Sequence, residues 1–460
     1  MKSIIWCNYF KLARATKFSN LKNFQVLIRY CLLITTVAFL SSCSINKQVS
    51  KNLDQSIKNS TLLRSGFTGF ALYDPENKEM IYEYNADNYF IPASNTKLFT
   101  FYTGLKILGD SVPAFQYKIA GDSLIFTGTG DPSLLNEDLP KSGILNFLKQ
   151  SKQELYYQPH EISSTHFGPG WAWDDYNDYY SAERSEFPIY GNVVSFINSD
   201  LENTPKSYPS FFQKTLMKTN DENSSKEIKR DLRNNQFLYT NSWEASKEKQ
   251  VIPFKTSSLL FAQLLSDTLQ KKVTVLNSKR NTEAFKNVKY SIPTDSIYKR
   301  MLLASDNFIA EQILMMASLK LTDTLAPEKA IAYMKENYLQ DLPQMKWVDG
   351  SGLSRYNLFS PRTIVRLLEK IKNEVSQERL FSMLPSGGET GTLKNYFKHK
   401  PAYVFAKTGS LSNNQALSGY IKTKSGKVLI FSFMENNYLL PASEIRKQLE
   451  PMFENIYEKY

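Results

Sequence analysis

Strand-forming segments lie near both ends of this 460-residue chain, with helical segments between them. Near the start, apolar residues alternate over residues 66–74 and 79–85 on either side of a Pro-Glu-Asn-Lys turn, which predicts a β-hairpin. Near the end, residues 402–437 contain three further strand patterns, and residues 442–460 form an amphipathic helix pattern. The fold class is therefore predicted to be α+β, with one sheet assembled from segments that are distant in sequence.

A serine and a lysine lie three residues apart at the start of a predicted helix. Residues 92–109 read PASNTKLFTFYTGLKILG, in which apolar residues recur at helical spacing. Ser94 is expected at the positive end of this helix, and Lys97 lies one turn along the same face. The same S-x-x-K pattern begins at four other serines, which are Ser19, Ser44, Ser246 and Ser296. The spacing alone therefore does not identify a catalytic pair.

Cysteine and histidine are scarce, which excludes several kinds of catalytic site. The cysteines are Cys7, Cys31 and Cys43, and the histidines are His160, His166 and His399. Beyond Cys43 the chain therefore has no disulfide, catalytic thiolate or cysteine-bound metal. With so few histidines, a Ser-His-Asp triad or a multi-histidine zinc site is hard to build. We expect no metal and no cofactor.

The net charge of +11 is concentrated at the N-terminus. Residues 1–43 carry six Lys and Arg residues and no acidic residue, which leaves 11 − 6 = +5 on the rest of the chain. A charge of this size suits a mildly basic solvated surface, or contact with an anionic polymer or membrane face. It is too small to indicate a nucleic-acid partner.

Residues 1–43 have the composition of a secretory signal. A basic region ends at Arg29, and the apolar run that follows is too short to cross a bilayer. Leu40 to Cys43 resembles a bacterial lipobox, which predicts lipidation at Cys43 and membrane anchoring. An ordinary signal peptide cut near Ser42 and an uncleaved anchor remain as alternatives. The predicted location is the periplasmic face of a membrane, with the outer membrane preferred, and residues 44–60 are interpreted as a tether.

Two further polar motifs support a catalytic role for Ser94. Ser305, Asp306 and Asn307 form a polar trio in an otherwise apolar helical segment. Lys407, Thr408 and Gly409 end a predicted strand, and K-T-G occurs only once, against about 0.1 occurrences expected by chance. The ordered set S-x-x-K, S-D-N and K-T-G resembles the motifs of class A β-lactamases and penicillin-binding proteins.

The number of residues between the first two motifs indicates which of these protein families the chain resembles. Ser94 and Ser305 are 211 residues apart, far more than a compact β-lactamase needs. The chain resembles class C low-molecular-mass penicillin-binding proteins, the D-alanyl-D-alanine carboxypeptidase/endopeptidase family, and residues 128–134, 168–192 and 349–357 resemble that family too. The resemblance implies an α+β penicillin-binding-protein/β-lactamase-like transpeptidase core, an antiparallel sheet with helices, that carries two smaller inserted domains.

The implied domain order follows from the insertion. The catalytic domain is expected to consist of residues 61–108 and 290–460, and the inserted domains of residues 109–289. The smaller inserted module is placed at about residues 200–255, where the resemblance is weakest and charged and polar residues are frequent.

The three motifs supply the parts of an acyl-transfer site. A serine hydroxyl needs a base, and Lys97 is the candidate if its pKa is lowered by burial and by Lys407. By resemblance, Ser305 and Asn307 relay protons and hold the substrate amide, and Lys407 attracts the terminal carboxylate of a peptide. The implied oxyanion hole consists of the backbone N–H groups of Ser94 and Ser410. Thr408 and Gly409, with Ser410, are the expected substrate-binding residues of the strand.

The resemblance also implies a second group of residues, which bind a side chain of the substrate. By resemblance, Arg355 and Asp175 receive the diaminopimelate side chain of the peptidoglycan stem, and Tyr180 matches an aromatic position of the same pocket. A surface ion pair is the alternative interpretation of Arg355. Ser412 departs from the family, because some relatives present a longer polar residue there.

The predicted function is a serine D-Ala-D-Ala carboxypeptidase/endopeptidase that acts on peptidoglycan stem peptides and cross-links through an acyl-serine intermediate. β-Lactam antibiotics are expected to acylate the same serine. Two alternatives belong to other classes, namely a β-lactamase on the same core and a non-catalytic cell-wall-binding lipoprotein. The long insertion argues against the first, and the intact motifs argue against the second.

Overall fold

A computed structural model describes residues 45–160, 165–197, 204–219, 227–240, 243, 249–276 and 285–460. The predicted signal segment, with Cys43, lies outside the described residues. Within the described ranges, no helix is both long and apolar enough to cross a membrane.

Helices and strands alternate along the described chain. The β-strands are β1 Phe67–Asp74, β2 Glu79–Tyr84, β3 Ser111–Ala120, β4 Ser123–Gly128, β5 Glu154–Tyr157, β6 Val193–Ile197, β7 Lys206–Tyr208, β8 Leu216–Lys218, β9 Lys229–Arg230, β10 Phe237–Tyr239, β11 Gln250–Pro253, β12 Val273–Val275, β13 Asn287–Pro293, β14 Val404–Leu411, β15 Asn414–Lys422 and β16 Val428–Asn436. The α-helices are α1 at residues 45–59, α2 Thr61–Arg64, α3 Lys97–Ile107, α4 Ile144–Gln150, α5 Ser258–Leu269, α6 Thr294–Leu303, α7 Asn307–Thr322, α8 Pro327–Asn337, α9 Pro361–Glu374, α10 Gln377–Met383 and α11 Ala442–Lys459. The 3-10 helices are Ala93–Thr96, Trp173–Asn177, Tyr179–Ser181, Tyr190–Asn192, Ser210–Thr215 and Gly391–Leu393.

The central sheet joins the two ends of the chain. Its strand order is β14-β15-β16-β1-β2, and every neighbouring pair is antiparallel. Strand β1 therefore pairs directly with β16, so that Phe67 faces Asn436. The predicted α+β class, with one sheet built from sequence-distant segments, is confirmed.

The two faces of this sheet bury different layers of helices. In β1, Phe70 and Leu72 pack on the side of α11, where the Phe70 ring lies 6.3 Å from that of Phe453. The alternate residues Ala71 and Tyr73 belong to the core formed with α3, α7 and α9. This two-residue alternation places the strands between two helical layers.

The prediction of a tether at residues 44–60 is wrong for residues 45–59, which form α1. Val49, Leu53 and Ile57 recur every four residues, so they share one helix face, and all three are buried with the residues of α11. The polar residues between them occupy the exposed face. Because polar residues are so frequent in this segment, the apolar stripe was not recognised from the sequence.

A second region of the structure runs from β3 to β13 and includes both strands. Its five-stranded sheet has the order β12-β5-β4-β3-β13, and the three-stranded sheets β11-β6-β7 and β8-β10-β9 lie in the same stretch of chain. This region has its own core of buried aromatic and aliphatic residues. Strand β13 continues to Pro293 and pairs with β3, so the sheet extends past the predicted boundary between residues 289 and 290. The division into domains stays a prediction.

Candidate active site

Ser94 lies in the 3-10 helix Ala93–Thr96, which leads directly into α3. The preceding residue, Ala93, has a φ of 47°, a left-handed conformation that costs an L-residue about 1–2 kcal/mol. A β-carbon at Gly352 would lie 1.8 Å from the Ala93 carbonyl oxygen, so this turn is packed tightly against the 349–354 loop. The surrounding structure thus holds Ser94 in a turn that its local sequence does not favour.

The amine of Lys97 is fully buried and contacts three oxygens. Lys97 Nζ lies 2.9 Å from Ser94 Oγ, 2.6 Å from Asn307 Oδ1 and 2.7 Å from the Ser351 carbonyl oxygen. Two of these oxygens can only accept hydrogen bonds, so they take both hydrogens of a neutral amine. Its lone pair is then directed at the Ser94 hydroxyl. The geometry is that of a general base next to its nucleophile.

Burial lowers the pKa of Lys97 to about 8, because the buried ammonium form loses its hydration. The carboxylates of Asp349, Asp306 and Glu311 oppose this shift. Burial also lowers the pKa of Lys407, and the positive charge of Lys97 lowers it further. With a pKa of about 8, about a tenth of Lys97 is neutral at pH 7, and this neutral form is the one that can act as a general base.

The other two motifs converge on the same pair. Lys407 Nζ donates to Ser305 Oγ at 2.8 Å and to the Thr408 carbonyl oxygen at 2.7 Å. Asn307 receives a hydrogen bond from Lys97 and donates through Nδ2 to the Tyr180 carbonyl oxygen at 3.0 Å. This second bond fixes the orientation of the amide, so its oxygen faces Lys97.

Strand β14 passes close to the nucleophile at Gly409. A β-carbon there would lie 2.6 Å from the Pro92 carbonyl oxygen and 3.1 Å from the Ser94 nitrogen. Asn95 Nδ2 donates to the Lys407 carbonyl oxygen at 3.0 Å and links the same two segments. The next residue, Ser410, lies at the cavity with Ser94. Ser94 and the edge of β14 are thus adjacent, and their role as an oxyanion hole stays a prediction.

One cavity of about 670 Å³ opens over these residues. Among its lining residues are the predicted site residues Ser94, Ser305, Asn307, Ser410, Asp175, Tyr180 and Arg355. Lys97, Lys407 and Thr408 are buried and do not line it, and Thr408 Oγ1 donates to Thr392 Oγ1 at 2.7 Å. The predicted catalytic and side-chain residues therefore meet in one place.

The side-chain residues lie on one wall of this cavity. The Tyr180 hydroxyl shares its one hydrogen between Asp175 Oδ1 at 3.1 Å and Asp178 Oδ2 at 3.0 Å. Arg355 Nη1 donates to the Ser412 carbonyl oxygen at 3.3 Å. Burial raises the pKa of Asp175, as do the neighbouring carboxylates of Asp178 and Asp174, whereas the Tyr180 hydrogen bond and the charge of Arg355 lower it. An anionic and a cationic group thus stand near each other at the cavity surface.

Sequence reasoning missed a buried layer beneath the site. Glu311, Asp349 and Ser351 are almost fully buried, and Ser351 supplies one of the three oxygens around Lys97. Glu311 follows Asn307 by four residues, which places both on one face of α7. The four-residue spacing from Asn307 could have identified Glu311 in the sequence. Ser351 acts through its backbone, which no side-chain motif reveals.

Comparisons with known proteins give one family over most of the chain. Residues 49–456 match the model of the D-Ala-D-Ala carboxypeptidase 3 (S13) family. The chain is 24% identical over 482 residues to a D-alanyl-D-alanine carboxypeptidase DacB of Haemophilus influenzae, covering 92% of this chain and 97% of that protein. It is also 24% identical over 431 residues to a D-alanyl-D-alanine carboxypeptidase of Actinomadura sp., covering 83% of this chain and 79% of that protein.

Solved structures show the same fold. The crystal structure of penicillin binding protein 4 (dacB) from Haemophilus influenzae has a TM-score of 0.72 at 20% identity, over 88% of this chain and 99% of that chain. The same protein complexed with a novel β-lactam has a TM-score of 0.64 at 19% identity, with the same coverage.

Proposed function

Because the chain belongs to the D-Ala-D-Ala carboxypeptidase 3 (S13) family, we propose that it is a serine hydrolase of peptidoglycan stem peptides and cross-links. The predicted resemblance to penicillin-binding proteins and the predicted fold are confirmed by the family match and the structural neighbours. The observation that carries the chemistry is the 2.9 Å contact between Lys97 Nζ and Ser94 Oγ. The other two partners of that amine leave its lone pair for the serine proton.

Acylation begins when Lys97 takes the proton of Ser94. The freed oxygen attacks the carbonyl carbon of the penultimate D-alanine, and a new carbon–oxygen bond forms as the carbon–nitrogen bond breaks. The departing amine receives the proton through the hydroxyl of Ser305, which is held by Lys407. The products of this step are an acyl-Ser94 ester and free D-alanine, or the amine of a neighbouring strand when a cross-link is cut.

Deacylation repeats the same transfers with water in place of the leaving amine. Lys97 takes a proton from water, and the hydroxide attacks the ester carbonyl. The ester bond breaks, and Ser94 recovers its proton. A β-lactam enters by the same first step, because its strained amide presents the same carbonyl to Ser94.

Two groups are proposed to hold the reacting peptide. The backbone N–H groups of Ser94 and Ser410 would stabilise the negative charge on the carbonyl oxygen, and each such donor contributes about 10²–10³ in rate. Lys407, beneath the cavity, would attract the C-terminal carboxylate in its protonated form, which burial disfavours until an anion is bound. Support for the oxyanion hole comes from the approach of β14 to Ser94 at Gly409.

The wall of Asp175, Tyr180 and Arg355 is proposed to bind the stem side chain. A diaminopimelate side chain ends in an ammonium and a carboxylate, and Asp175 and Arg355 offer the opposite charges at the same cavity. The Tyr180 hydroxyl contacts Asp175 as well as Asp178. These contacts support the proposed role, which rests on charge complementarity.

Membrane anchoring at Cys43 is proposed from the lipobox resemblance. Family membership indicates an extracytoplasmic cell-wall enzyme. Lipid at Cys43 would hold it at a membrane surface facing the periplasm, with the outer membrane preferred. Two or more acyl chains on one residue are sufficient for stable anchoring.

Digestion of purified peptidoglycan tests the proposed activity. The wild-type protein should release D-alanine from pentapeptide stems and convert cross-linked muropeptides to monomers, both of which are measured by mass spectrometry. Lys97→Ala should fold and show neither product at a comparable rate, because the base is lost. Unchanged muropeptides after digestion with the wild type would contradict the proposal.

A further inference from the structure

Glu311 is a buried carboxylate that the acyl-transfer steps above do not use. It lies on α7 four residues after Asn307 and is 1% exposed. Its Oε1 accepts hydrogen bonds from the backbone nitrogens of Gly350 at 3.0 Å and Ser351 at 2.7 Å. Its Oε2 accepts from Arg184, with Nε at 3.0 Å. Four donor groups thus surround one buried carboxyl group.

Ser351 connects this carboxylate to the general base. Its N–H is bound by Glu311, and its carbonyl oxygen accepts from Lys97 Nζ at 2.7 Å. Rotation of this segment away from Glu311 would therefore turn the carbonyl oxygen away from Lys97. The next carbonyl back, that of Gly350, is fixed by the Thr100 hydroxyl at 2.6 Å.

The loop is packed closely against its neighbours at Gly350 and Gly352. A β-carbon at Gly350 would lie 2.7 Å from the Ala310 carbonyl oxygen, and one at Gly352 would lie 1.8 Å from the Ala93 carbonyl oxygen. The loop is thus held between α7 and the turn that carries Ser94. Glu311 supplies the polar contacts that fix it against α7.

We infer that Glu311 is a positioning residue for the general base, which aims the Ser351 carbonyl oxygen at Lys97 so that the amine lone pair faces Ser94. The inference rests on the proposed role of Lys97. It assigns Glu311 no contact with substrate. Its negative charge also acts on Lys97 and favours the ammonium form.

The charges around Lys97 determine whether removal of the Glu311 charge raises or lowers the pKa of Lys97. Asp306 and Glu311 of α7 and Asp349 of the loop face Lys97, and each raises its pKa. The amine of Lys407 on β14 lies close enough that a charge on Lys97 lowers its pKa. Arg184 pairs with Glu311 and offsets part of its charge. Removal of the Glu311 charge should therefore lower the pKa of Lys97.

Two variants separate the charge of Glu311 from its hydrogen bonds. Glu311→Gln keeps an oxygen acceptor for the loop but removes the charge. Glu311→Met combined with Arg184→Met removes the ion pair and both loop contacts without leaving a buried arginine unpaired, an exchange that buried ion pairs often tolerate. Glu186→Gln is the matched control, since Glu186 is a buried glutamate that contacts Tyr157 and Ser258 away from Lys97.

The readout is the rate of acylation by a fluorescent penicillin as a function of pH, with the melting temperature measured in parallel. On the acid side of the profile, called the acid limb, the acylation rate falls as Lys97 becomes protonated. In Glu311→Gln, this fall should occur at a pH lower by about half a unit or more. In the folded double-methionine variant, acylation should slow by about tenfold or more at every pH, because the amine is no longer oriented. Glu186→Gln should keep the wild-type profile.

Two results would overturn the inference. One is a wild-type acylation rate in the folded double variant. The other is slow acylation with an unmoved acid limb in Glu311→Gln, which would assign Glu311 to stability alone. A wild-type protein that is not acylated at all would instead contradict the proposed function, so the two failures are distinguishable.

Discussion

At the scale of single residues, hydrogen counting gives the protonation state of Glu435. The hydroxyl of Thr68 contacts both the Leu63 carbonyl oxygen, at 2.8 Å, and Glu435 Oε2. A hydroxyl has one hydrogen, and the Leu63 carbonyl can only accept it. Glu435 must therefore carry a proton that it donates to Thr68. Burial raises the pKa of Glu435 to about 8 even against the Thr68 contact, which acts to lower it.

Protonation of Glu435 predicts a particular dependence of stability on pH. The folded pKa is raised, so this contribution is complete below the unfolded pKa and is lost as pH rises to about 8. The free energy of unfolding should fall by up to about 1.4 kcal/mol per pH unit in that window. Glu435→Gln keeps the donor to Thr68 and should remove this decline, as measured by melting temperature across pH. Glu76→Gln, in an exposed turn, is the control and should leave the decline unchanged.

The proposed side-chain pocket predicts a change in substrate preference. Replacing Asp175 or Arg355 by Ala should lower kcat/KM for a diaminopimelate-containing stem peptide by about tenfold or more, which is about 1.4 kcal/mol. An N-acetylated D-Ala-D-Ala dipeptide lacks the side chain and should be hydrolysed nearly as before. The measured quantity is the ratio of the two values. Equal losses on both substrates would mean that these residues support the fold.

Residues with a side-chain motif could be located from the sequence, and residues that act through the backbone could not. Ser94, Lys97, Ser305, Asn307 and Lys407 were identified by three short motifs, and the structure brings them into contact. Their catalytic roles stay predictions. The Ser351 carbonyl oxygen was missed, because any residue type can supply a carbonyl.

At the scale of elements, α1 is part of the folded core. Leu53 is 1% exposed and packs among residues of the sheet and α11. Leu53→Ala should lower the free energy of unfolding by about 2–5 kcal/mol, because it leaves a cavity between the helix and the sheet. Gln55→Ala, on the exposed face of the same helix, should change it by less than about 0.5 kcal/mol. Urea unfolding measures both, and equal effects would contradict the packing of α1.

The strands of the central sheet were easier to predict than α1. Strands β14, β15 and β16 are long and largely buried, and β16 has a nearly continuous run of apolar residues. Helix α1 has one apolar residue in four and depends on tertiary packing for its stability. Its stripe at residues 49, 53 and 57 is clear only beside the sheet that it covers.

At the scale of the whole molecule, the active site is assembled from distant parts of the chain. Ser94 and Lys97 lie in the first part of the chain, and Asn307, which contacts Lys97, follows it by 210 residues. The region from β3 to β13 contributes Asp175 and Tyr180 to the same cavity. The sequence indicated that these segments must meet, whereas the shape of the cavity depends on packing between the two regions.

Lipidation at Cys43 predicts the behaviour of the intact protein. Wild-type protein should partition into detergent, and Cys43→Ser should lose its lipid and either stay uncleaved or become soluble. Cys31→Ser is the matched control, since Cys31 lies in the same segment outside the lipobox. Unmodified wild-type protein free in the soluble periplasmic fraction would contradict the proposal.

The central claim is that Ser94 is the nucleophile, and covalent labelling by a fluorescent penicillin tests it most directly. The wild type should carry one adduct, located by mass spectrometry on the peptide that contains Ser94, and Ser94→Ala should carry none. Ser296→Ala removes another serine with the S-x-x-K spacing, on α6, and should be labelled like the wild type. Labelling that persists in folded Ser94→Ala would contradict the account.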